Sequence, residues 1–219
     1  PEATQILTVQ YRMTEAIMGF SNFAFYNNKL IAAANTQKHY LKEGEDSLAF
    51  IDTAGSGFME FRDRETLSIN NKEEAIMALS LLNRLLKRVG KINSEGQAWQ
   101  VGLIAPYSAQ VRLLKEMVAL DSEWLFLRQM EQHLTISTVD GFQGQERDII
   151  LISLTRSNEQ GEIGFLADTR RMNVALTRAK RKLIVLGDSA TIGNNDFYQS
   201  FLDFVQLQGA YHSVYEFME

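Results

Sequence analysis

The residues best suited to chemistry lie in two stretches of the C-terminal half, and their types suit the holding of an anion. In Asp168–Lys180, "DTRRMNVALTRAK", Met172, Ala175, Leu176 and Ala179 recur at helical spacing and predict a packing stripe. Arg171, Val174 and Arg178 fall on the neighbouring stripe, since residues three, four and seven apart share a helix face. Two guanidinium forks beside a packing stripe can grip an anion; the same spacing also describes a solvated helix laced with salt bridges. The second stretch, "STVDGFQGQERD" from Ser137 to Asp148, ends a polar strand and places Gly141 and Gly144 just ahead of Glu146. Glycines there let backbone approach a ligand, and a polar loop between apolar strands points to function.

What is missing narrows the chemistry. A self-sufficient nucleotide hydrolase needs a phosphate cradle of the form Gly-x-x-x-x-Gly-Lys-Ser/Thr and an acidic pair for Mg2+ and water. No Lys-Ser/Thr follows Gly141 or Gly144, and no acidic pair is placed to serve such a cradle. The chain alone is therefore expected not to hydrolyse ATP.

The elements that must position these residues alternate strand and helix. Ile6–Val9 reads as a strand, and Thr14 is expected to cap a helix carrying Ile17, Phe20, Ser21 and Ala24 to about Tyr26. Asn35–Asp46 reads as loop, Leu48–Thr53 as a strand, and Phe58–Arg62 as a short strand. Asn70 or Asn71 should start a helix to Val89 with Ile76, Leu79, Leu82, Leu85 and Leu86 in the core; its charge order suits the helix dipole, and Gly90 closes it. Trp99–Ala105 is a strand that Pro106 ends, with Ser108 placed to cap a helix over Ala109–Ala119. That crossover puts a helix start at the C-terminal edge of a strand, where ligands collect, although an ordinary turn looks the same. Asp121–Gln132 fits helix or loop. Leu134–Thr138 and Asp148–Leu154 read as strands, Ser157–Ile163 as loop, and Lys182–Leu186 as the last strand. Asp196 is expected to cap a final helix whose Phe197, Phe201, Phe204 and Val205 suit a core better than a base-stacking platform. The alternation predicts an α/β fold with a mainly parallel sheet.

Composition is that of a soluble globular protein: 219 residues, 45% hydrophobic and 22% charged. There is no cysteine, so disulfides and thiolate metal sites are excluded, and His39, His133 and His212 are too scattered to suggest a metal centre. No apolar run approaches a membrane span, and no secretory signal opens the chain. A cytoplasmic location is expected, as is origin in a longer polypeptide, because the chain starts Pro1-Glu2-Ala3. The net charge of −5 argues against a wholly basic nucleic-acid binder. Even so, Asp168–Lys182 carries six cations against one carboxylate.

Taken together, "TVDGFQGQERD" and "RRMNVALTRAK" resemble motifs V and VI of superfamily 1 helicases of the Upf-like branch. "LTVQYRMTEAIMGFSNFAFYNNKL" is similar to motif IV and the helix behind it, with Thr14-Glu15 where that family usually has His-Pro. The resemblance covers nearly the whole chain, as one domain over 1–219, and is weak over 35–98. It implies a second RecA-like domain, P-loop NTPase-like without its own P-loop, with helices on both faces of the sheet. ATP would lie in a cleft shared with a first RecA-like domain that carries the cradle and the Mg2+ ligands.

Residue by residue, the resemblance implies that Arg12 of "QYRM" reaches the γ-phosphate and Tyr11 packs near the adenine. Arg178 of "ALTRA" would be the arginine finger, with Arg171 also near the nucleotide. Glu146 would approach the ribose, with Gly144 giving room. Thr138 and the turn Pro106, Tyr107 and Ser108 would contact a nucleic-acid backbone. Plain structural roles stay open beside these: Tyr11 as core, Thr138 as a strand end. The expected function is the C-terminal motor domain of an ATP-dependent DNA or RNA helicase, monomeric and without membrane contact, moving on single strands, 5′ to 3′ by analogy with the branch. A non-hydrolytic nucleic-acid-binding or regulatory module that kept the fold is the competing reading.

Overall fold

The computed structural model describes residues 8–218. Ile6 and Leu7 of the first expected strand lie outside them, and β1 comprises Val9–Gln10. In chain order follow α1 (Glu15–Tyr26), β2 (Ile31–Ala32), β3 (Leu48–Asp52), β4 (Phe61–Arg62), β5 (Ile69–Asn70), α2 (Lys72–Val89), β6 (Val101–Ala105), α3 (Ser108–Leu120) and α4 (Leu125–Arg128). β7 (Leu134–Thr138), β8 (Arg147–Ser153), α5 (Thr169–Leu176), β9 (Ala179–Gly187), α6 (Ser189–Ile192), α7 (Asp196–Leu207) and β10 (Tyr211–Ser213) complete the chain.

Six strands form one sheet in the order β10-β3-β9-β8-β6-β7, and every pairing in it is parallel. Strands buried on both faces need continuous apolar runs, and β6 and the middle of β8 supply them. Alternate side chains feed two cores. Leu103, Leu151 and Ile184 pack under α2, α3 and α4. Phe50, Ile150, Ile152 and Val185 pack under α1, α5 and α7. The sheet is thus mainly parallel with helices on both faces, as expected. Two short pairs flank it: β1 with β2, parallel, and the β4–β5 hairpin, antiparallel.

Several boundaries differ from the sequence reading, each for a local reason. α5 stops at Leu176, so Ala179 is not on its stripe and opens β9 instead. Thr177 Oγ1 donates to Asn173 O at 2.9 Å, and Arg178 Nε donates to Val174 O at 2.9 Å. Side chains thus satisfy the last carbonyls of the helix, while Arg147 N bonds Arg178 O at 3.0 Å and draws the chain into the sheet. Ser108 does not cap α3; it is the first helical residue, and Ser68 Oγ of the hairpin turn accepts from Ala109 N at 3.1 Å. Asn195, not Asp196, caps α7, through bonds from Phe197 N and Tyr198 N. Ala24 and Ile76 are exposed, because α1 buries Met18 and Asn22 and α2 turns Ala75, Ala78 and Leu81 inward. Asn35–Asp46 contains a 3-10 turn over Ala34–Lys38, and Asp121–Gln132 holds α4. Lys182–Leu186 is the centre of the longer β9, and β10 is the last strand.

Thr14 and Asn71 cap α1 and α2 as the sequence suggested. The α7 aromatics are core: Phe201 meets Phe20 edge-on at 5.1 Å between centroids. No helix among the described residues is long and apolar enough to cross a membrane.

Candidate functional site

The turn after β1 is built by one side chain. Gln10 Oε1 accepts from the backbone N–H of Arg12 at 2.9 Å and of Met13 at 2.8 Å, and Gln10 Nε2 donates to Met13 O at 2.8 Å. Met13 enters the core, and Tyr11 is left 69% exposed, so it is not a core residue. Arg12 is directed to the start of β8. Its Nε meets Glu146 Oε2 at 2.5 Å and its Nη1 donates to Thr177 O at 3.1 Å. Lys180 Nζ holds the other carboxylate oxygen, Oε1, at 2.7 Å.

Arg178 closes the cluster from the other side. Besides Val174 O, its guanidinium reaches Gln145 O through Nη1 at 3.2 Å. Arg12, Glu146 and Arg178 therefore come together, and Arg178 sits in the turn after α5 rather than on its face. Both guanidinium groups are fixed by Nε and Nη1, and among the described residues neither Nη2 has a hydrogen-bond partner. Burial lowers the pKa of Arg178, and repulsion from Arg12 lowers it further. Burial works against the Glu146 carboxylate, but the bonds from Lys180 and Arg12 outweigh it and hold the pKa below the usual value. Two cations in mutual repulsion, each with an uncommitted N–H edge, make a place where an added anion is stabilised.

The loop that carries Glu146 needs its glycines for different reasons. A Cβ on Gly141 would stand 2.1 Å from Ser137 Oγ, so that turn is closed by contact. Gly144 has open space around it but a φ of +77°, which favours glycine. Phe142 between them is fully buried and anchors the loop.

Arg171 does not join the arginine cluster. It faces Asp140 and Asp168, each at 3.6 Å. It lines a cleft with Pro106 and Thr138, so three of the predicted residues meet there, at the C-terminal ends of β6 and β7. Ser108 is exposed beside Pro106. Tyr107 is 4% exposed; its hydroxyl accepts from Arg156 Nη1 and from Phe165 N, both at 3.2 Å. Its side chain is a support rather than a surface group.

The concentrated positive charge is largely paired. Lys180 meets Glu146, Arg181 meets Asp148 at 3.1 Å, and the buried Lys182 meets Glu45 at 3.2 Å. Gln10 and Lys180 are the members of the site that sequence reasoning missed. Lys180 was legible only as one more charge of the basic run Asp168–Lys182, and its partner lies 34 positions away in the numbering. Among the described residues no three of His, Asp and Glu are grouped to hold a metal ion.

The chain matches the AAA domain family over residues 1–190. It is similar to the DNA-binding protein SMUBP-2 of Mus musculus, 34% identical over 98% of this chain and 21% of that protein. The DNA polymerase alpha-associated DNA helicase A of Saccharomyces cerevisiae is 37% identical over 85% of this chain and 28% of its own length. An uncharacterized ATP-dependent helicase of Methanocaldococcus jannaschii is 36% identical over 92% of this chain and 29% of its own length. The chain thus spans between about a fifth and a third of the length of these relatives.

Proposed function

The chain belongs to the AAA domain family, as a C-terminal domain of the Upf-like superfamily 1 helicases, and on that premise we propose that it supplies two arginines to an ATP site completed by a preceding RecA-like domain. The observation that carries this is the pair of uncommitted Nη2 groups on Arg12 and Arg178, whose mutual repulsion an anion would relieve. Arg178 is the arginine finger in this reading: its charge counts most when negative charge builds on the transferred phosphoryl group. Arg12 holds the γ-phosphate from the opposite side. Tyr11, exposed at the tip of the turn, covers the adenine, and Glu146, with Gly144 ahead of it, lies near the ribose. Arg171 is assigned instead to the nucleic-acid side, with Pro106, Ser108 and Thr138, because it lines one cleft with Pro106 and Thr138. Mg2+ would be held by carboxylates of the preceding domain and would neutralise phosphate charge there. The partners are that domain and a single strand of DNA or RNA.

The test compares ATP turnover by the chain alone and by a longer polypeptide that includes the preceding domain, each with and without single strands. Strand-stimulated turnover is expected from the longer polypeptide alone. Clear strand-stimulated hydrolysis by the chain alone contradicts the shared site.

A further inference from the structure

A second cleft lies between the β4–β5 hairpin and the 3-10 turn Gly164–Ala167, with a volume of about 240 Å³. Its floor is Ile69 and the ring of Tyr107, and its rim is Arg62, Leu67 and Phe165. Phe165 is 62% exposed and Leu67 is 68% exposed. Exposed apolar side chains are ordinary singly, but these two share one cleft and both are held in place. The Phe165 ring lies against the Tyr107 ring at 5.2 Å with an interplanar angle of 31°, and Phe165 N donates to the Tyr107 hydroxyl. Leu67 has a φ of +56°, a left-handed conformation uncommon for a branched residue. The Asp63 carboxylate fixes that turn through Glu65 N and Thr66 N. Backbone strain that the surroundings hold in place is a pointer to function.

Two guanidinium groups line the cleft: Arg156 is paired with carboxylates, and Arg62 at the rim has no carboxylate partner among the described residues. Arg156 is buried and ion-paired to Glu60 at 2.8 Å, yet its Nη2 has no hydrogen-bond partner; the Glu162 carboxylate stands 3.8 Å away and is exposed. Gly164 keeps this arrangement open, since a Cβ there would meet Arg156 Nη1 at 2.2 Å. Phe165 also lines the neighbouring cleft of Pro106, Thr138 and Arg171, and so forms the wall between the two.

A fixed aromatic face, an apolar neighbour and an unpaired guanidinium beside them are what an unpaired base and its phosphate require. We propose that Phe165, backed by Tyr107 and flanked by Leu67 and Arg62, is a stacking platform for one unpaired base of a nucleic-acid single strand. The proposal rests on the nucleic-acid reading given above and adds to it a contact to a base, on a track otherwise made to the backbone.

The experiment measures binding of the chain to an oligothymidylate and to an abasic phosphodiester strand of equal length. Phe165→Ala should weaken binding of the oligothymidylate about tenfold or more and leave the abasic strand unchanged, because stacking needs a base. Phe165→Trp should keep binding, with its emission quenched when the oligothymidylate is added. Arg62→Ala should weaken both strands and reduce the salt slope by about 0.7. Unchanged oligothymidylate binding by Phe165→Ala overturns the platform and leaves the function intact. Equal loss on both strands also overturns it, and assigns Phe165 to the fold or to another partner. Failure of the unaltered chain to bind either strand overturns the nucleic-acid reading itself, and the platform with it.

Discussion

The Arg12 guanidinium meets Glu146 Oε2 at 2.5 Å, joining two loops 134 positions apart in the chain. Both side chains are about a third or more exposed, so solvent screens the pair and its share of stability is at most about 1 kcal/mol. Its value lies in aiming Arg12. Glu146→Gln should cost little in denaturant midpoint at neutral pH. The Glu146 pKa is lowered on folding, so its contribution is present above the unfolded value of 4.5 and disappears as pH falls through the folded value. Urea titrations of parent and variant across that range should converge at the acid end; a constant difference would show that the charge is not responsible.

Glu74 behaves in the opposite sense. It is fully buried, with Ser153 Oγ donating at 2.6 Å and Thr155 N at 2.8 Å to Oε1. Burial drives its pKa up to about 7, against those two bonds, and the Asp188 and Glu60 carboxylates add to the rise. The folded state therefore favours the protonated form. This carboxyl withdraws stability as pH rises from about 4.5 to about 7, on the order of 3 kcal/mol in all. Glu74→Gln should remove that slope and melt higher than the parent above neutrality. A parent and variant with parallel pH profiles would contradict the burial argument.

Two glycines of the site should answer differently to the same substitution. Gly164→Ala adds a Cβ 2.2 Å from Arg156 Nη1 and 2.5 Å from the Tyr107 hydroxyl, at a φ of +52°. Overpacking and backbone strain together should cost about 2–4 kcal/mol. Gly144→Ala meets only the strain of φ +77°, in open space, and should cost about 1 kcal/mol. Equilibrium denaturation of both variants checks the order; the reverse order would mean that the Arg156–Tyr107 contact gives way easily.

Local patterns made much of the fold legible. Thr14 and Asn71 mark helix starts because their side chains accept the bonds they cap. The apolar runs of β6 and β8 mark buried parallel strands. What local pattern could not show is which distant group takes a given charge. Lys182 reads as part of a basic run, yet it is buried against Glu45. Arg171 and Arg178 share a helical phase in the sequence, but the helix ends between them, so Arg171 lines the cleft of Pro106 and Thr138 while Arg178 reaches Gln145 O beside Glu146. Tyr107 sits in a turn that reads as surface, and only the fold shows its ring turned inward under Phe165. Gln10, which shapes the turn carrying Arg12, has no signal beyond its polar type in a short strand.

The finger assignment is tested most directly by ATP turnover in a polypeptide that joins this chain to its preceding domain. Arg178→Ala, Arg178→Lys and the parent would be compared together with their melting temperatures. A finger is worth on the order of 10³–10⁵ in rate in related phosphoryl transfer, and an ammonium lacks the planar fork. Both variants should therefore lose turnover by orders of magnitude while melting within a few degrees of the parent, since among the described residues the Arg178 side chain bonds only Val174 O and Gln145 O. Near-parental turnover by Arg178→Ala, or a loss of activity that tracks unfolding, would contradict the assignment of Arg178 as the finger.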